Sequence, residues 1–235
     1  MHYKKRANVM TVEVKIKRSE VVKSKILHAA AKLFLEKGYA ESTVKEIAQV
    51  AGVSLGSLTF AFKNKENILC ELVGFVLEGQ FEAAQRVLKG ITDDKVLFYA
   101  VETVMQLHMA ESSEHMREMY SVSYSLPNSA QIIYRTITGK LEYIFKEYLP
   151  HLESKDFYER EIASGGIMRG FMTVPCDMYF TMERKVKSFL ETTFLVYEVP
   201  KAKIEEAIAF VGQFDFVQLA DQTINEMLKY LESKT

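Results

Sequence analysis

The sequence predicts an all-α fold in which a small N-terminal helix-turn-helix unit of three helices is followed by a larger helical domain. Three features of the 235 residues carry that prediction. Apolar side chains recur at spacings of three and four through most of the chain, the stripe of an amphipathic helix. No alternating apolar and polar run is long enough to read as a strand. Glycine, proline and capping residues punctuate the periodic segments. With 48% hydrophobic residues, the chain has enough apolar material for a core that needs no disulfide staples.

The first stripe runs through Val21, Ile26, Ala29, Ala30, Leu33 and Phe34, with Ser19 as its expected N-cap. Gly38 follows Lys37, where a left-handed residue ends a helix. Thr43 with Glu46 three residues on is a capping-box signal for a short second helix through Ile47, Val50 and Ala51. Gly52 breaks that helix, and Ser54 caps a third through Leu55, Leu58 and Phe62. Asn64 then opens a long helix striped by Ile68, Leu69, Leu72, Val73, Val76, Leu77 and Phe81, closed by the turn at 90–94. Further helical periodicity covers 94–110, 114–125, 130–148, 156–174, 178–198 and 202–232, with Pro127, Pro150 and Pro200 among the breaks. The expected organisation is a basic flexible arm over 1–18, a helix-turn-helix domain over 19–65, and a helical ligand-binding and dimerisation domain over 66–235.

The formal net charge of −1 conceals a polarised chain. Residues 1–65 hold thirteen Lys and Arg against five Asp and Glu, net +8, so the remainder is net −9. A basic segment is the footprint of a nucleic-acid-binding module, because neutralising phosphates supplies most sequence-independent affinity. It is equally the composition of a solvated basic surface. The arm residues Lys4, Lys5, Arg6, Lys15, Lys17 and Arg18 are read as a tail making occasional phosphate contacts.

Two short helices joined by Ala51-Gly52-Val53-Ser54 form a helix-turn-helix pattern. The helix after the turn opens with small and polar side chains, which let its N-terminal end approach base edges and phosphates. The stretch "AAAKLFLEKGYAESTVKEIAQVAGVSLGSLTFAFKNKENIL", residues 29–69, resembles the N-terminal domain of TetR-family transcriptional regulators. The shared pattern is a Leu-Phe-rich first helix, Gly-Tyr, a threonine opening the second helix, Ile-Ala, Ala-Gly-Val-Ser, glycine with leucine two on, then Phe, Lys and Glu at fixed steps. The resemblance implies that Thr43 touches the DNA backbone, that Ser54, Leu55, Gly56, Ser57, Thr59 and Phe60 form the groove-facing surface, and that Lys63 and Lys65 bind phosphate. Two positions depart from the pattern. Thr59 stands where the family usually has tyrosine and Ala61 where it commonly has histidine, both of which tend to contact phosphate.

Beyond residue 70 the resemblance rests on size and helical content. The stripes over 178–198 and 202–232 exceed what one packing face needs. Val186, Phe189, Phe194, Ile208, Val211 and Phe214 are therefore the expected contacts of a symmetric homodimer, which also suits two DNA half-sites. The middle segments are rich in Met, Phe and Tyr. Met105, His108, Met109, Tyr120, Tyr124, Met168, Phe171 and Met172 are the expected lining of a pocket for an apolar or aromatic effector, a pocket the family resemblance also implies. Gly165, Gly166 and Gly170 permit close helix approach or a kink beside it.

Other chemistry finds little support. Ser42-Thr43-Val44-Lys45 matches the acyl-enzyme S-x-x-K, but no SDN or KTG partner exists. The five histidines and the two cysteines, Cys70 and Cys176, have no metal-ligand spacing. No catalytic residue, metal or cofactor is expected. No apolar run approaches the ~18 residues of a membrane span, and the expected setting is cytoplasmic, without a membrane partner. The expectation is a homodimeric regulator, most often a repressor, that binds a double-stranded DNA operator under control of a small molecule. The alternative is a helical small-molecule binding protein or enzyme whose helix-turn-helix no longer binds DNA, the reading that Thr59 and Ala61 favour.

Overall fold

The computed structural model describes residues 2–235, with side chains from Ser19 onward. Among the described residues there are eleven helices and no strand: α1 (His2–Lys37), α2 (Val44–Val50), α3 (Leu55–Ala61), α4 (Lys65–Leu88), α5 (Lys95–Glu111), α6 (Glu114–Ser125), α7 (Pro127–Phe145), α8 (Ser154–Thr173), α9 (Met182–Val196), α10 (Lys201–Val211) and α11 (Phe216–Ser233).

The caps of the N-terminal unit form as local chemistry dictates. The Thr43 hydroxyl accepts from the Glu46 amide while the Glu46 carboxylate accepts from the Thr43 amide, a reciprocal capping box. The Ser54 side chain accepts from the Ser57 amide at 3.0 Å, and that of Asn64 accepts from the Asn67 amide at 2.8 Å. Gly38 adopts φ +87° and Gly52 φ +64°, the left-handed region in which glycine has no Cβ to clash. Ile26, Phe34, Ile47, Leu58 and Ile68, all fully buried, form the core of this unit.

Helix α5 is the axis of the larger domain, with residues from Val96 to Ala110 almost all buried. Helices α4, α6, α7, α8, α9, α10 and α11 surround it. At its lower end, Tyr99, Phe145, Phe194 and Tyr197 interlock, with Phe145 and Tyr197 stacked at 4.0 Å. At the other end of α5 the Lys185 ammonium of α9 is buried, and it is satisfied by Glu111 and the Val174 carbonyl, each at 2.6 Å. The two cores meet at one seam, where Leu231 of α11 inserts into the core of the N-terminal unit beside Leu72 of α4.

Three expectations are corrected. Helix α1 is continuous through Ser19, so that residue is not a cap; the reading of 1–18 as an arm that contacts phosphate concerns side chains outside the described residues. The 202–232 segment is two helices, because the chain turns at Gly212–Phe214 and Asp215 starts α11 by accepting from the Gln218 amide at 3.0 Å. Of the six expected dimer contacts, Val186, Phe189, Phe194 and Val211 are buried inside their own chain. Ile208 and Phe214 are partly buried against the same core, Phe214 lying between the rings of Phe210 and Phe216. The break in the last stripe is what consumes the surplus apolar surface, since two short helices present more than one inward face.

Because Leu231 fills the N-terminal core from the far end of the chain, Leu231→Ala should cost about 2–5 kcal/mol. Chemical unfolding of the variant should show that loss in the unit bearing α2 and α3. Unchanged stability would mean that the seam carries no load.

Candidate functional site

Helix α3 divides cleanly by burial. Leu58 is fully buried on its inner face, whereas Leu55, Gly56, Ser57, Thr59 and Phe60 are exposed, Phe60 to 90%. An apolar ring this exposed near the end of a short helix has no role in its own core, and Leu55 at the start of that helix is half exposed. Ser54 and Ser57 share a 2.8 Å hydroxyl contact at the helix N-terminus, where backbone N–H groups and the positive dipole end face outward. Thr59 donates to the carbonyls of Leu55 and Gly56 at 3.0 and 3.1 Å, so its hydroxyl proton is held within its own helix. Thr43 is exposed at the adjoining start of α2, and Lys63 is exposed beyond the end of α3.

Lys65 does not belong to this surface. Its ammonium donates to the carbonyls of Tyr39, Ala40 and Ser42 at 2.7, 3.3 and 2.9 Å and lies over the Tyr39 ring at 4.3 Å. All three N–H groups are thus committed to the turn between α1 and α2, leaving none for phosphate. Burial in the turn draws its pKa below the ordinary lysine value, against the opposing pull of Glu118 and Glu41.

The same turn is gripped by a residue that the sequence did not single out. Glu118 of α6 accepts from the amides of Tyr39 and Ala40 at 3.1 and 2.8 Å. A Cβ on Gly38 would come within 2.2 Å of the Glu118 carboxylate and 3.2 Å of His115. No local pattern marks such a contact, which joins residues 78 and 79 positions apart.

Helix α6 also walls a cavity of 90 Å³ at the seam. Its lining comes from α1, α4, α5, α6, α7 and α11 and is almost wholly apolar, with no Lys, Arg, His, Asp or Glu among the lining residues. Met109, Tyr120 and Tyr124 of the expected ligand set face it. A smaller void of 30 Å³ adjoins it at Gln106 and Tyr124 and is lined by Met168, Glu102 and Glu161. Gly165 belongs here, since a Cβ at that position would come within 2.9 Å of the Tyr134 ring. The remaining four expected ligand residues line neither space. Met105 and Met172 are buried in the core, His108 stacks on Phe216 at 5.3 Å, and Phe171 packs against Phe180 and Phe189. Richness in methionine and aromatics does not tell a cavity wall from a filled core.

Glu102 and Glu161 are 2% and 4% exposed. Burial raises the Glu102 carboxyl to about 7, opposed by the Gln106 hydrogen bond and by Lys140. Burial raises Glu161 to about 8, opposed by Ser164 and reinforced by Glu102.

Residues 26–72 match the model of the bacterial regulatory proteins of the tetR family. That stretch is a TetR-family DNA-binding domain. It is 24% identical over 176 residues to the probable HTH-type transcriptional regulator YttP of Bacillus subtilis, covering 74% of this chain and 77% of that protein. It is 33% identical over 95 residues to the HTH-type transcriptional repressor KstR2 of Mycolicibacterium smegmatis, 40% of this chain and 43% of that one. The solved structure of RolR in complex with resorcinol shares its fold, with a TM-score of 0.63 at 14% identity over 83% of this chain and 95% of that chain. The chain is accordingly a DNA-binding transcriptional regulator with an N-terminal helix-turn-helix domain and a larger helical domain behind it.

The two lysines should separate in experiment. Lys63→Ala should weaken specific and random duplex alike and reduce the slope of log affinity against log salt by about one. Lys65→Met should instead lower the melting temperature by releasing the turn carbonyls; a slope change equal to that of Lys63→Ala, without loss of stability, would restore Lys65 to the phosphate surface.

The buried carboxyls set a pH dependence with a defined sign. Their unfolded value is near 4.5 and their folded values are about 7 and 8, so the folded chain binds more protons in between and stability falls as pH rises through that window. Glu161→Gln should therefore raise the melting temperature at pH 8.5 and shrink toward no difference at pH 5. A difference that does not vary with pH would contradict it.

Proposed function

We propose that this regulator is a homodimeric repressor that binds an operator through the exposed face of α3 and releases it when a small apolar molecule occupies the cavity at the seam. The observation that carries the reading is the double role of α6: its side chains Met116, Met119, Tyr120 and Ser123 wall the cavity, and its Glu118 holds the turn that leads into α2. A ligand that widens the cavity by displacing α6 pulls on the turn and so reorients α3. The effect required is modest, since couplings of ~1–3 kcal/mol suffice to change operator affinity by one or two orders of magnitude.

Ser54, Leu55, Gly56, Ser57, Thr59 and Phe60 are the base-facing set in this reading, with Thr43 and Lys63 against the backbone. Phe60 and Leu55 supply apolar contact of the kind that reads thymine methyl groups. For the dimer, the apolar side chains left exposed around α8 and α9 are the candidates, namely Ile162, Val174, Met178, Tyr179 and Leu195. They replace the interior residues nominated from the stripe.

Fluorescence anisotropy against duplex from upstream of the protein's own gene, compared with scrambled duplex at two salt concentrations, tests the reading. Selective, salt-sensitive binding is expected, and duplexes selected from random sequence serve if the operator lies elsewhere. Glu118→Gln should alter operator affinity severalfold while Ser57→Ala changes base preference. Equal, weak binding to every duplex would favour a ligand-binding protein that no longer reads DNA.

A further inference from the structure

The cavity at the seam is apolar except for a few side chains whose hydrogen bonds can be followed one by one. Gln80 of α4 is fully buried and Gln106 of α5 is 4% exposed. Both line the cavity, and the side-chain oxygen of each accepts no hydrogen bond from any described residue.

Their orientation follows from their neighbours. The Gln106 amide nitrogen donates to the Glu102 carboxyl at 2.6 Å, which leaves its oxygen free. Gln80 directs its nitrogen to the Tyr120 hydroxyl and to Met109 Sδ, and Tyr120 in turn donates to that same sulfur at 3.6 Å. The Gln80 oxygen is left over in the same way. A buried acceptor left unpaired is costly, so two in one apolar space are an unfavourable arrangement for a mere core. Tyr124, which has no hydrogen bond among the described residues, adds a hydroxyl that can either donate or accept.

The cavity's own lining holds no cation to receive a carboxylate or phosphate and no carboxylate to receive an ammonium; Lys140, Glu102 and Glu161 line only the adjoining void. The free volume, 90 Å³, is of the same order as the ~150 Å³ apolar void that takes up one benzene ring. Met109, Met116, Met119 and Met227 among the walls allow it to adapt to somewhat larger shapes.

We infer that the effector is a small neutral molecule of the phenol class, an apolar ring whose hydroxyl donates to the amide oxygens of Gln80 and Gln106. The inference rests on the reading of this cavity as the effector site. An anionic head group is disfavoured by the absence of a counter-charge, and a plain hydrocarbon leaves both oxygens unpaired.

Calorimetric titration of the full chain with 4-methylphenol, toluene and 4-methylbenzoate tests it. The phenol should bind at least tenfold more tightly than toluene, and the benzoate should not bind measurably. Gln106→Leu and Gln80→Leu should each weaken the phenol about tenfold, leave toluene within twofold, and raise the melting temperature of the free chain by removing an unpaired acceptor. The wild-type comparison needs no variant to fold. Toluene binding as tightly as the phenol, or a benzoate that binds best, overturns the hydroxyl assignment while leaving the cavity as a ligand site. If none of the three binds, the cavity reading itself falls and the inference with it.

Discussion

The turn between α1 and α2 is held by two opposite charges that divide its backbone between them. The Glu118 carboxylate takes the amides of Tyr39 and Ala40, and the Lys65 ammonium takes the carbonyls of Tyr39, Ala40 and Ser42. A short polar turn would otherwise leave these groups to water, and α2 and α3 would be placed only by the small core beneath them. Gly38 makes the arrangement feasible twice over, through its φ of +87° and through the missing Cβ that lets the carboxylate approach. The orientation of the exposed face of α3 therefore depends on a residue of the larger domain. The charge-assisted bonds that fix it are the stronger kind.

The cost of the larger domain's polar interior points the same way. Lys185 is buried but satisfied by Glu111 and a carbonyl, which is structural housekeeping between α5 and α9. Glu102, Glu161, Gln80 and Gln106 are different, because burial raises the carboxyls and leaves the amide oxygens unpaired. All four side chains line the seam cavity or the void that joins it. A core that needed only stability would fill this space with leucine, as it does around Leu97, Leu107 and Leu141. Two of the three buried unpaired side-chain oxygens among the described residues, those of Gln80 and Gln106, fall in this one cavity, Thr193 Oγ1 being the third, and such a pairing is what a binding site retains.

What could be read from the sequence was whatever local chemistry decides. The capping box at Thr43 and Glu46, the caps at Ser54 and Asn64, and the left-handed glycines 38 and 52 all involve partners within a few residues, and each is found in the fold. The placement of α4 through α9 followed the 3.6-residue period to within a few positions. Lys65 shows where such reading stops. Its position after α3 suits a phosphate contact, yet its carbonyl partners lie 23 to 26 residues back, and no period reports a contact closed by folding. The stripe over 202–232 failed for a related reason: a turn at Gly212–Phe214 preserves apolar spacing on both sides while rotating the second half onto a new neighbour.

That rotation explains why the cavity sits where it does. With the break in place, α11 lies along both α5 and α1, so Ile224 and Met227 face the cavity, Leu228 faces it from the next turn, and Leu231 reaches the core of the N-terminal unit. Helix α6 makes the same double contact from the opposite wall, through its cavity side chains and through Glu118. A body inserted between these two helices cannot be accommodated by either domain alone, because each helix is packed into both. Close-packed interiors shift between discrete arrangements rather than deforming smoothly. In the reading proposed above, occupancy of a volume of 90 Å³ would thereby become a change in the angle at which α3 is presented.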